Sequence, residues 1–174
     1  MKLKALITAA VFGLLSLGVQ AAEFAASGAN DVRYGTLCYH DVVDETRPGY
    51  DLKDEQYEGD VHRQYFPQTM TVQKLVSHFN WLQANGYTPV SWQQVLDARA
   101  GRSRLPEKPV LLTFDDGYES FYHLVYPLLK AYRFPAVFAL VTGWLDTPDN
   151  GSIAYGNIQL PRSAFVSWAQ VKEM

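Results

Sequence analysis

The stretch Pro109-Val110-Leu111-Leu112-Thr113-Phe114-Asp115-Asp116-Gly117 decides how this chain reads. Pro109 to Phe114 is apolar except for one threonine, the pattern of a strand buried on both faces of a parallel sheet. Two adjacent carboxylates follow, and a glycine then lets the backbone turn sharply away. Successive strand residues point to opposite faces. At a fraying strand end before a glycine turn, however, both acids reach one cleft. In β/α units that end is where ligands bind. Neighbouring like charges repel, and each loses hydration in a cleft. A divalent cation relieves both costs: one carboxylate binds it, and the other stays free as a proton acceptor. A plainer reading has one aspartate cap a helix at Tyr118 and leaves the other solvated. That accounts for one acid well and for two poorly.

Outward from this block, strand and helix signals alternate. Tyr34 to His40 is an apolar strand ending in His40 and Asp41. Residues 41–68 show no clear period and predict a long functional or mobile loop. Thr71 opens a helix with Val72, Leu75, Phe79 and Leu82 at helical spacing, and Gly86 stops it. Tyr87 to Val90 predicts a short strand. Ser91 with Gln94 forms a capping box for a second helix ending at Gly101. After the acids, Tyr118 to Tyr132 predicts a helix with Phe121, Leu124, Val125, Leu128 and Leu129 inward. Pro127 within it predicts a kink or a late start. Pro135 to Val141 reads as a strand buried on both faces, and residues 146–162 as a polar loop. Ser167 with Gln170 caps a last helix beginning at Trp168. This alternation predicts an α/β fold with a parallel sheet or barrel. A closed barrel of this kind needs ~200 residues or more, so the expectation is a partial (β/α) barrel whose remainder follows Met174.

Composition narrows the function. The chain has 174 residues, 48% apolar and 19% charged, with net charge −3. This is globular composition. No basic stripe appears, which excludes nucleic acid as partner. Lys2 and Lys4, the apolar run Ala5 to Val19 and the small-x-small site Val19-Gln20-Ala21 read as a signal peptide over 1–21. The run is too short for a comfortable membrane span. Cleavage before Ala22 leaves 13 basic against 18 acidic residues, a mature charge of −5. The sole cysteine, Cys38, has no intramolecular disulfide partner and reads as a buried small hydrophobe. His62, His78 and His123 read as partly exposed residues without a chemical role. Trp144, Tyr155, Tyr50 and Tyr57 are candidates to stack on sugar rings.

The block Thr113-Phe114-Asp115-Asp116-Gly117 resembles the polysaccharide deacetylases, the NodB-homology or carbohydrate esterase family 4 group. Tyr39-His40-Asp41-Val42, Phe134-Pro135-Ala136-Val137-Phe138 and Ser167 to Met174 resemble one branch, the periplasmic poly-β-1,6-N-acetyl-D-glucosamine N-deacetylases of biofilm systems. The resemblance covers most of residues 32–174. It implies a deformed (β/α) barrel, with the deacetylase domain starting near 107 after an N-terminal strand, loop and two helices over 22–106. It also implies hydrolysis of a non-peptide C–N bond, the N-acetyl amide of an N-acetylglucosamine polysaccharide. Asp115 then falls as general base, Asp116 as metal ligand and His40 as a substrate-binding residue. The implied ion is divalent, zinc first, with nickel, cobalt or iron as alternatives. Its two histidine ligands, from a His-x-x-x-His motif, are expected beyond Met174. Residues 1–174 alone are therefore expected to hold no tight metal and to turn over no substrate. The implied setting is the periplasm or outer membrane, with an export machinery as partner. Two other readings stay open: a non-catalytic carbohydrate-binding remnant, and a glycosidase pairing Asp115 with a distant acid.

Overall fold

The computed structural model describes residues 32–46 and 68–174. The signal peptide 1–21, the segment 22–31, and Tyr50, Tyr57 and His62 lie outside the described residues. In chain order the elements are β1 (Gly35–Tyr39), β2 (Val42–Val43), β3 (Met70–Thr71), α1 (Val72–Ala84), β4 (Thr88–Pro89), α2 (Trp92–Arg99), β5 (Pro109–Phe114), α3 (Tyr126–Tyr132), β6 (Val137–Phe138), α4 (Thr142–Leu145), β7 (Ser152–Tyr155), β8 (Ile158–Pro161) and α5 (Trp168–Glu173).

The predicted central strand is β5, with the predicted bounds, and it organises the sheet. β1 runs parallel along its whole length, from Gly35 opposite Val110 to Tyr39 opposite Phe114. β4 pairs parallel with Pro109 and Val110, and β6 pairs parallel with Thr113 and Phe114. Since β1 lines one edge, β4 and β6 share the other, one at the start of β5 and one at its end. The fold is α/β with a parallel sheet.

Every residue of β5 except Thr113 is buried. Phe114 stacks on Tyr39 with ring centroids 4.9 Å apart and meets Phe121 edge-on at 5.2 Å. Leu75, Phe79 and Leu82 of α1 close the same core. Phe114 is fully buried, and cores collapse only partly around a deleted ring. Phe114→Ala is therefore expected to cost about 3–5 kcal/mol, read as a large drop in the urea unfolding midpoint. An unchanged midpoint would show that Phe114 is not central to this core.

Local signals hold where they rest on caps. The Thr71 side chain accepts from Lys74 N at 3.2 Å. Gly86 takes φ +72° to end α1, an angle that favours glycine. Both bonds of each capping box are present, at Ser91 with Gln94 and at Ser167 with Gln170.

Three segments differ from expectation. The stretch 118–132 is not one α-helix: Phe121–Val125 is a wide π turn leading into α3. Tyr126 N–H reaches back five residues to Phe121 O. Pro127 has no N–H and its ring crowds the carbonyl four residues back, so the widened turn absorbs what an α-helix could not. Pro135 to Val141 is not a strand buried on both faces. Only Val137 and Phe138 pair, both half-buried, because β6 reaches only the last rungs of β5 and no further strand covers it among the described residues. Residues 146–162 are not a plain loop, since β7 and β8 form an antiparallel hairpin. Ile153 and Tyr155 alternate inward with Ser152 and Ala154 outward, a strand period over too few residues to stand out from its polar flanks.

The hairpin builds a second apolar cluster of Ile153, Tyr155 and Phe165, with Tyr118 and Trp144 against it. Arg162 is buried beneath it at 4% exposure. The described part of 41–68 is not all loop, since Val42–Val43 forms β2 and pairs parallel with β3 just past that segment. No described helix is long and apolar enough to cross a membrane.

Candidate active site

Parallel pairing delivers the C-terminal ends of β1 and β5 to one edge. Asp115 N–H donates to Tyr39 O at 2.9 Å, one rung beyond the ladder. Strand alternation then sorts the side chains. Tyr39 and Phe114 point into the core, where they stack. Cys38 of β1 and Thr113 of β5 take the opposite face, and His40 and Asp115, the residues directly after the two strands, gather beside Cys38. The Cys38 thiol donates to Asp115 Oδ2 at 3.2 Å. One donor atom from each of Cys38, His40 and Asp115 lies within 4.8 Å of the other two.

Cys38 thus corrects the sequence reading: it is exposed rather than a buried hydrophobe. The run Tyr34 to Tyr39 is apolar in composition, but only one of its faces is covered at this end. Although the side chain is open to water, partial desolvation of the sulfur and the hydrogen bond to Asp115 push the thiol pKa up. The thiol therefore stays protonated and acts as a donor.

Asp116 turns elsewhere. It takes φ +71° and Gly117 takes φ +77°. Two left-handed residues in succession throw the chain out of the strand. Aspartate is among the residues that tolerate this region, at a cost of about 1–2 kcal/mol. The glycine is a backbone necessity, as expected: a Cβ at Gly117 would lie 3.2 Å from Leu140 Cδ2. The turn is held from outside. Val166 N–H donates to Gly117 O at 2.9 Å, and Tyr118 bridges Phe165. The Tyr155 hydroxyl donates to Asp116 Oδ2 at 2.6 Å. The two acids are adjacent in sequence yet have separate partners.

Asp41 supports this end of the sheet. Its half-buried carboxylate accepts from Ser120 Oγ at Oδ1, 2.7 Å away, tying the end of β1 to the segment after Gly117. Burial pushes this carboxyl up, and hydrogen bonds from Ser120 and Val42 N–H oppose the shift. Burial also pushes Tyr39 up to about 12. Tyr118 is pushed well up, first by burial and then by Tyr155, Asp41 and Asp116. Both phenols are neutral neighbours of the acids.

Of the aromatic candidates, Tyr155 and Trp144 pack into the second cluster, with Trp144 centred 4.8 Å from Phe165. Beside a longer bond to Gln68 Oε1 at 3.4 Å, the Tyr155 hydroxyl makes its short bond to Asp116. Sequence reading missed that role because nothing local links the two residues. His78 approaches the Tyr39 hydroxyl at 3.5 Å, and His123 pairs with Glu119 one turn back. Neither joins the acids.

Comparison with known proteins finds similarity in sequence and in fold. Residues 102–174 match the profile of the family described as polysaccharide deacetylase. A poly-β-1,6-N-acetyl-D-glucosamine N-deacetylase of Escherichia coli K12 is 48% identical over 100 residues, which are 58% of this chain and 15% of that protein. The de-N-acetylase of Aggregatibacter actinomycetemcomitans superposes with TM-score 0.67 at 55% identity, over 80% of this chain and 49% of that one. The BpsB deacetylase domain of Bordetella bronchiseptica gives 0.60 at 41% identity over the same shares. The chain spans about half of these solved structures and a smaller share of the curated relative. By this sequence match and this fold, the chain is similar to the polysaccharide deacetylases, with their family profile matching residues 102–174.

Proposed function

We propose that the acid pair serves metal-assisted removal of N-acetyl groups from a poly-N-acetylglucosamine polysaccharide, hydrolysing the amide to an amine and acetate. The observation that carries this reading is the division of partners at one sheet end: Asp115 faces Cys38 and His40, and Asp116 faces Tyr155. The names of the relatives supply the reaction and the substrate class. They favour neither a glycosidase nor a non-catalytic remnant.

Asp116 would hold the ion. Its carboxylate, oriented by the Tyr155 hydroxyl, fits a site completed by imidazoles, which suits zinc and also nickel, cobalt or iron. When bound, such an ion polarises the acetyl carbonyl and lowers the pKa of a bound water. Asp115 accepts the proton of the attacking water. Its Oδ2 already accepts the Cys38 thiol, so the proton goes to Oδ1. His40, half-buried beside Asp115, lines the approach of the substrate.

The finer parts of this reading belong together. The parallel strands form part of a deformed (β/α) barrel. The protein is exported through the signal at 1–21 and works in the periplasm or at the outer membrane, beside an export machinery. The further metal ligands come from outside residues 1–174. With Asp116 as its one carboxylate ligand, the catalytic metal position is not held tightly by these residues alone, and by themselves they release no acetate.

The test is acetate release from N-acetylglucosamine oligomers by the full-length protein, before and after chelation and after zinc is restored. Loss and recovery of turnover are expected. Full activity after complete metal removal would overturn the mechanism, and robust turnover by residues 1–174 would overturn the missing ligands. Tyr155→Phe removes one hydroxyl that orients a ligand. It is expected to weaken metal binding about tenfold, measured by competition with a chromogenic chelator. Unchanged affinity would remove Tyr155 from the site.

A further inference from the structure

We propose that Cys38, His40 and Asp115 form a second cation site, separate from Asp116, that takes a thiophilic divalent ion such as zinc or cadmium. The trio is a product of strand register. Cys38 lies on β1 and His40 directly follows the strand's last residue, Tyr39, while Asp115 follows the β5 residue opposite Tyr39. One face therefore presents a sulfur, an imidazole nitrogen and a carboxylate oxygen. These atoms all lie within 4.8 Å of one another, and the sulfur is already 3.2 Å from Asp115 Oδ2.

A tetrahedral zinc has ligands at about 2.0–2.3 Å, which sets neighbouring donors a little over 3 Å apart. Small side-chain rotations bring the trio to that spacing. Three protein ligands leave a fourth position open, and the exposure of Cys38 gives the ion a way in. The donor set selects the metal. Thiol and imidazole favour zinc and cadmium, whereas magnesium and calcium prefer oxygen alone. On binding, the thiol releases its proton to solvent and the sulfur coordinates as thiolate.

The site stands on this geometry. Its consequence for turnover rests on the role proposed above for Asp115. An ion on this trio draws negative charge from the Asp115 carboxylate and makes it a poorer proton acceptor, so excess zinc becomes an inhibitor of the enzyme it activates.

The test uses the purified protein, freed of metal and titrated with cadmium, whose thiolate complex has an ultraviolet charge-transfer band. Expected is a saturable band at one cadmium per chain that excess magnesium does not displace. Cys38→Ser removes it. His40→Ala and Asp115→Asn each weaken binding about tenfold or more, since a direct ligand counts for no less than the residue that orients one. Asp116→Asn leaves the band in place. These side chains are exposed or half-buried, and circular dichroism confirms that each variant is folded. No band, or a band indifferent to His40 and Asp115, would overturn the site. In the full-length enzyme, excess zinc should slow acetate release and Cys38→Ser should relieve the inhibition. Cadmium binding without zinc inhibition would leave the site standing and overturn the role of Asp115 instead.

Discussion

Asp115→Asn in the full-length protein is expected to lower acetate release by about a thousandfold while leaving bound metal unchanged, the size of a lost general base. Asp116→Asn is expected to remove both turnover and metal. The substitutions are alike in size and chemistry and sit one residue apart, so any general disturbance of the turn would affect them equally. The structure gives reason to expect a difference. Asp115 continues the strand and shares a face with Cys38 and His40. Asp116 adopts a left-handed conformation and is held by Tyr155. Asparagine retains a carbonyl oxygen for both hydrogen bonds, so the loss isolates charge from geometry. Metal content by elemental analysis, set beside acetate release, separates the outcomes. Equal metal loss in the two variants would overturn the division of roles.

Arg162→Met is expected to destabilise the fold by roughly 3 kcal/mol, although it removes a buried charge. Removing a buried ion pair in favour of apolar residues is often neutral, because both desolvated partners disappear together. Here the partners cannot disappear. Arg162 Nη1 donates to Phe165 O at 2.8 Å, and Nη2 donates to Val166 O at 2.9 Å and Leu145 O at 3.2 Å. These carbonyls belong to the backbone and stay buried after the substitution, each short of a donor at about 1–3 kcal/mol. The buried Arg162 Nε, which finds no partner among the described residues, returns part of that cost. The balance remains unfavourable. The effect should also reach the acids, since Val166 holds the carbonyl of Gly117. Urea unfolding measures the stability, and an unchanged midpoint would show that the carbonyls find other donors.

Much of the scaffold is legible in the chain without its coordinates. The bounds of β5, the caps at Thr71, Ser91 and Ser167, the stop at Gly86 and the acid pair after an apolar strand all follow from residues within a turn or two of one another. Hydrophobic period, capping chemistry and glycine's freedom act over that range, so they leave a local imprint. The short hairpin and the two-residue β6 escape notice because their periods are too brief to register.

Which way a side chain faces is another matter. Cys38 looks like core by composition, and only its register against β5, a strand more than seventy residues on, turns it outward beside Asp115. Asp116 looks like its neighbour's twin until the hairpin folds back and brings Tyr155, 39 residues later, to its carboxylate. The chemistry present is therefore written in the amino acids, while the pairing of those groups depends on long-range strand pairing and packing, which no short stretch of sequence encodes.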